Sequence, residues 1–161
     1  MVTTYVSITP EDWSLCIQVA NARQVSSIKK KGRDNLYKKN GWLEEHSTHV
    51  VGCVGELAVA KAIGVTWSGD VDTFKLPDLP GNIQVRHRSN PQWDLIVRQD
   101  AKDDEVYVLS RGMPPGIIEV AGWIKAGDAK QEQWLKDHGN YGKPSYFVPS
   151  DALNRMEDLK V

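Results

Sequence analysis

Four side chains carry the chemistry that this sequence offers. They are Glu56 in "GELAVAKAIG", Asp78 in "LPDLPG", and Gln84 and Arg86 in "NIQVRHR". Phosphodiester hydrolysis needs such a set. An incoming water must lose a proton while negative charge grows on the phosphoryl group. Oxygen ligands hold a divalent cation against the phosphate, and a fixed cation beside the metal steadies the charge. An acid, a short gap, a side-chain oxygen, one spacer and a cation is therefore a short pattern with a mechanism.

The elements around these residues must place them. "NIQVRHR" reads as a strand of period two, with Ile83, Val85 and His87 on one face and Gln84, Arg86 and Arg88 on the other. "LEEHSTHVVGCVGELAVAKAIG" reads as the strongest helix, with Val50, Cys53, Val54, Leu57 and Ala58 apolar and Gly64 as its stop. Gly52 and Gly55 each cost it about 1 kcal/mol relative to Ala, which points to close packing or close approach of a ligand. An earlier helix opens at Thr9 and Pro10, with Glu11 and Asp12 at the positive end of its dipole.

Between the two helices, "KKKGRDNLYKKNG" is a basic, glycine-containing loop. It is either a solvated surface segment or a flap that touches phosphates through Lys30, Lys31 and Arg33. After Gly64 the chain turns β-rich. "DTFKL", "NIQVRHR", "DLIVRQD", "EVYVLSRG" and "GIIEVAGWIKA" predict a meander-like run of four or five strands. "DAKQEQWLKDHG" predicts a short helix capped by Asp128, "PSYFVP" a strand, and "SDALNRMEDL" a terminal helix capped by Ser150. The fold expected is α/β or α+β, with a central mixed sheet flanked by helices. Residues 1–45 form a helical extension with the basic loop, and 46–161 form the core.

Composition is that of an ordinary folded domain: 161 residues, 40% hydrophobic, 25% charged, net charge −1. A basic whole-protein field is absent, so nucleic acid would have to be held by a local patch. Cys16 and Cys53 lack the His spacing of a zinc site and read as reduced, buried thiols. No run reaches membrane-spanning length, no secretory leader opens the chain, and a cytoplasmic location is expected. No glycine-rich nucleotide motif is present.

"GELAVAKAIG", followed by Pro77-Asp78 and then Gln84-Val85-Arg86, resembles the PD-(D/E)xK nuclease superfamily. More narrowly, the chain is similar to small phage and prophage proteins of that fold, through Gly122-Trp123-Ile124, Tyr146-Phe147-Val148-Pro149 and Leu153. The resemblance spans about residues 50 to 153. It implies a restriction-endonuclease-like core, DNA as partner, and Mg²⁺ or Mn²⁺ as cofactor. Glu56 matches the helix carboxylate and Asp78 the metal-binding Asp. Gln84 stands where Glu or Asp is usual, and Arg86 where Lys is usual.

These four would be the catalytic set. Asp78, Gln84 and Glu56 would hold the metal, weakly because Gln brings no charge. Arg86 and Arg88, with Lys30, Lys31 and Arg33, would meet the nucleic acid, and the four site residues would share one shallow cleft at the sheet edge. Arg86 can grip a phosphate but cannot accept a proton. The changed letters leave two further readings: a catalytically silent DNA-binding protein, and a phage accessory protein acting through phage or host proteins. The host cytoplasm is then the expected location.

Bland roles exist for each residue. Asp78 suits a turn, Glu56 a solvated helix face, and Arg86 and Arg88 a surface strand. Asp72 in "GDVD" rivals Asp78 as a ligand, and Asp94 either borders the site or caps a turn. His46 and His49 read as helix-surface residues. Trp42 and Trp67 suit either core packing or base stacking.

Overall fold

The computed structural model describes residues 3–31, 41–72, 76–114, 116–140 and 142–161. The first helix, α1, spans Pro10–Lys31. Thr9 caps it as its sequence suggests. Asp12 N–H donates to Thr9 Oγ1 at 3.1 Å, and Thr9 N–H donates back to the Asp12 carboxylate at 3.0 Å. The second helix, α2, spans Trp42–Ile63 and stops at Gly64, whose φ of 73° is the left-handed conformation that glycine adopts without strain. α1 and α2 pack together, with Cys16, Ala20, Cys53 and Val54 fully buried.

Strands β1 (Thr4–Ser7), β2 (Ile83–Arg88), β4 (Val106–Arg111) and β5 (Ile117–Lys125) form one sheet in the order β1-β5-β4-β2, while β3 (Leu95–Arg98), β6 (Leu135–Lys136) and β7 (Ser145–Val148) form a second in the order β3-β7-β6. β2 runs parallel to β4, and the other pairs are antiparallel. Two clusters make the core. Ile83, Val85, Val106, Val108, Ile118 and Val120 pack with the two helices. Tyr107, Leu109 and Ile124 pack with Leu95, Val97 and Val148 of the second sheet. β4 is covered on both faces, as its unbroken apolar run "VYVL" requires.

The fold is mixed α+β, with a mixed sheet at its centre. In place of a meander, β3 leaves the main sheet to join β7. β1 lies where no strand was expected, and it pairs with β5 in the same sheet as β2. Two expected helices are also replaced. The segment opened by Asp128 forms one helical turn, α3 (Ala126–Ala129), then a 3-10 turn at Glu132–Trp134 and the strand β6. Lys130 ties it to Ala101 O and to Asp103, and Leu135 is taken into a ladder with Tyr146.

The C-terminal segment forms 3-10 turns at Ser150–Ala152 and Met156–Asp158. Asn154 between them exchanges both backbone hydrogen bonds with Trp123, so tertiary pairing overrides helical propensity. Of "DTFKL", residues 73–75 lie outside the described residues, as do the loop 32–40 and the side chains of Lys31 and Trp42. No helix among the described residues is long and apolar enough to cross a membrane.

Candidate functional site at the edge of β2

β2 is an edge strand, and its alternation decides which groups face outward. Asn82 O and Arg88 O bond toward β4, whereas Ile83 exchanges both backbone bonds with Leu79 on the outer side. Asn82 (φ 59°) and Gly81 (φ 82°) turn the chain back to allow this. Asp78, at a bend just before this reversal, then lies beside Val85, and its Oδ2 accepts the outward Val85 N–H at 2.7 Å. Burial raises the Asp78 pKa, the Glu56 carboxylate raises it further, and the Val85 N–H, Arg86 and Arg23 draw it back only in part.

Glu56 belongs to α2 and is 8% exposed. Arg23 of α1 forks onto it, Nη1 to Oε1 at 2.8 Å and Nη2 to Oε2 at 2.9 Å. Trp67 Nε1 donates to Oε2 at 2.9 Å, and Arg23 Nε donates to Asp70 O at 3.0 Å. Burial works against the Arg23 charge, but Glu56 outweighs it and raises the guanidinium pKa.

Arg86 donates from Nη1 to Val85 O at 3.1 Å and lies 5.2 Å from the centre of the Tyr107 ring. Gln84 is half-buried, and its amide has no partner among the described residues. Gln84 and Arg86 register with Tyr107 and Leu109, whose side chains belong to the second-sheet core. α2 covers the opposite face. The four residues thus do not share one face. Glu56 and Arg86 reach the field of Asp78 from the two sides of the sheet edge, and Gln84 stays on the side away from α2.

The remaining predicted residues fall elsewhere. Asp72 is exposed and bound by Ser26 and by Lys30 Nζ, the latter at 2.8 Å, so it ties its loop to α1. Lys30 thereby has a structural partner, and Arg33 lies outside the described residues. Arg88 stacks on Trp93, with its Cζ 4.7 Å from the ring centre, and senses Asp94. His46 Nε2 pairs with Asn21 Oδ1 at 2.6 Å, and His49 lies 3.9 Å from Glu45. His87 Nδ1 meets Ser110 Oγ at 3.0 Å and Nε2 meets Gly112 O at 2.8 Å. Both ring nitrogens are thereby satisfied, Ser110 is fully buried, and the pair is structural. Burial pushes Cys16 and Cys53 up to about 12, which leaves both thiols unreactive.

Arg23 was missed as a site residue; Trp67, which suited core packing or base stacking, is buried in the helix-side core with its indole N–H on Glu56. The signal for Arg23 is a charged residue beside the buried stripe Cys16–Ala20. It cannot be buried there without a counter-ion, although the sequence does not name Glu56 as that partner.

The donor set suits a hard divalent cation in kind. A carboxylate held above its ordinary pKa by burial, and further by a second carboxylate, is the electrostatic condition that a cation relieves, and an unpartnered amide oxygen stands two residues from Arg86. Among the described residues, no three His, Cys, Asp or Glu side chains cluster in a metal-holding group. No family model, no curated protein and no solved structure matches the chain.

Proposed function

We propose that the chain has a restriction-endonuclease-like core and acts on DNA phosphodiester bonds with Mg²⁺ or Mn²⁺ at the edge of β2. The observation that carries this reading is the Asp78 carboxylate, bonded on the outer edge of β2 to the N–H of Val85, which lies between Gln84 and Arg86 in sequence, with burial and then Glu56 raising the Asp78 pKa and Arg86 lowering it. Those three residues come from a helix, a turn and a strand, and their spacing resembles that of the nuclease superfamily.

Asp78 would hold the ion, with the Gln84 amide oxygen from the side away from α2, while Glu56, forked by Arg23 on the α2 side, would act through its field and not as a ligand. A bound cation supplies Lewis acidity toward the phosphoryl oxygen and a more acidic water. The protein's own groups do the rest. Arg23 neutralises Glu56, and Arg86 offsets Asp78. The site is thus balanced before a divalent cation arrives and cationic afterwards, as a phosphate requires. Arg86 presents a permanently charged fork to phosphoryl oxygens but takes no proton, so the proton of the attacking water leaves to solvent or to a carboxylate.

A second reading, DNA binding without cleavage, is favoured by two contacts. Arg23 occupies both Glu56 oxygens, and Arg86 occupies Val85 O. A cleavage assay separates the two. Wild type, Asp78→Asn and Arg86→Ala are given labelled DNA with Mn²⁺, and affinity is measured in parallel. Cleavage by wild type alone supports the first reading. DNA binding that Arg86→Ala weakens, with no cleavage by any form, supports the second.

A further inference from the structure

β2 ends at Arg88, on the strand face that also carries Gln84 and Arg86, and the chain then loops through residues 89–94 to β3. Trp93 in that loop is 50% exposed. Its ring is backed by the Arg88 guanidinium at 4.7 Å. The loop is fixed: Trp93 N–H donates to Asn90 O, Gln92 N–H to Asn90 Oδ1, and Arg111 Nη1 to Pro91 O at 2.8 Å. Arg111 is itself held by a two-pronged pair with Glu119. A large apolar ring is therefore mounted on a fixed loop, one face on a cation and half of its surface toward solvent. Core packing does not account for it, because Trp93 belongs to neither buried cluster.

Arg88 Nε is buried without a hydrogen-bond partner, and burial lowers the Arg88 pKa while Asp94 supports its charge. An anion beside the exposed part of this pair would add to the support that Asp94 gives the charge. Arg86 stands two strand residues away, about 6.6 Å along β2. A stacked strand rises ~3.4 Å per nucleotide. The Arg88 that backs Trp93 thus lies about two nucleotide rises along β2 from Arg86.

We infer that the Arg88–Trp93 pair is a base-stacking platform that selects unpaired DNA for the β2-edge site. This rests on the DNA reading above and names its substrate class. In a duplex, neighbouring pairs cover both faces of every internal base, so a surface tryptophan reaches only terminal, frayed or single-stranded bases. The platform therefore favours single strands and open ends, and it is indifferent to which base it holds.

The test is binding of a single-stranded oligonucleotide and of a covalently closed, relaxed duplex circle that has neither ends nor loops, in EDTA so that no cleavage intervenes. Wild type, Trp93→Ala, Trp93→Phe and Arg86→Ala are compared, with fluorescence quenching of the tryptophans recorded alongside. The expected result is single-strand preference in wild type. Trp93→Ala loses about five- to a hundredfold in single-strand affinity and part of the quenching, Trp93→Phe keeps most of the affinity, and Arg86→Ala weakens both substrates. Equal losses on both substrates, or no loss with Trp93→Ala, would overturn the platform while leaving the DNA reading intact. Absence of binding to either substrate by wild type would overturn both.

Discussion

Arg23 holds both carboxylate oxygens of Glu56, at 2.8 and 2.9 Å, across the α1–α2 interface. The pair joins a helix that the resemblance does not cover to the helix carboxylate that it assigns to catalysis. It makes Glu56 a neutralised, fixed group beside Asp78. Glu56 thereby shapes the field of the site more than it offers a free ligand.

Breaking this pair from one side should be costly. Arg23→Ala leaves Glu56 buried without a counter-ion and next to Asp78. A loss of about 3 kcal/mol is expected, read as a lower midpoint in urea unfolding. The double change Arg23→Met with Glu56→Leu should recover most of that loss. Equal destabilisation in the single and double variants would show that packing, and not the unpaired charge, is responsible.

Asp78 gives the stability a pH dependence of known sign. Its pKa is raised above 3.8 on folding, so the folded state holds the proton more tightly than the unfolded chain. Its contribution is therefore fully favourable below 3.8 and declines as pH rises through the raised value. Asp78→Asn keeps an acceptor for Val85 N–H and removes the charge. Its melting temperature should equal or exceed that of wild type at neutral pH, and the gap should close as pH falls toward 3.8. Thermal scans from pH 3.5 to 8 decide it, and a variant less stable than wild type throughout would count against a strained carboxylate.

The two glycines inside α2 should respond in opposite directions. A Cβ on Gly55 would lie 2.7 Å from His87 Cβ and 2.8 Å from Ser110 Oγ, while one on Gly52 meets nothing within 4 Å. Gly55→Ala should destabilise by about 1–3 kcal/mol through overpacking against β2 and β4. Gly52→Ala should stabilise by up to about 1 kcal/mol through helix propensity. Denaturant midpoints of the two variants, measured together, check the register of α2 on the sheet.

Local signals were legible where local physics decides. Thr9, Pro10 and Asp12 mark the start of α1, Gly64 marks the end of α2, and the alternation of β2 separates Ile83 and Val85 from Gln84 and Arg86. Elements governed by distant partners were not. Asn154 is drawn to Trp123, and Leu135 to Tyr146, so two helix-like stretches become turns and a short strand. The Arg23–Glu56 pair spans 33 residues, and no spacing rule joins its members. Asp78 was recognisable as an acid near a strand, but its bond to Val85 N–H depends on the reversal at Gly81 and Asn82. Trp93 drew no notice because its partner Arg88 lies across a loop whose shape the residues alone do not specify.

The most direct measurement is the rate at which wild type and Asp78→Asn cleave single-stranded DNA in Mn²⁺ at pH 7.5, with an EDTA control. Asp78→Asn is suited to this because it preserves the hydrogen bond to Val85 while removing the charge. Metal-dependent cleavage by wild type, lost in EDTA and at least about a hundredfold slower in Asp78→Asn, is the expected result, a barrier difference of roughly 2.7 kcal/mol. Cleavage by Asp78→Asn at the wild-type rate, or no cleavage by wild type with either Mn²⁺ or Mg²⁺, would contradict a phosphodiester-cleaving site at the edge of β2.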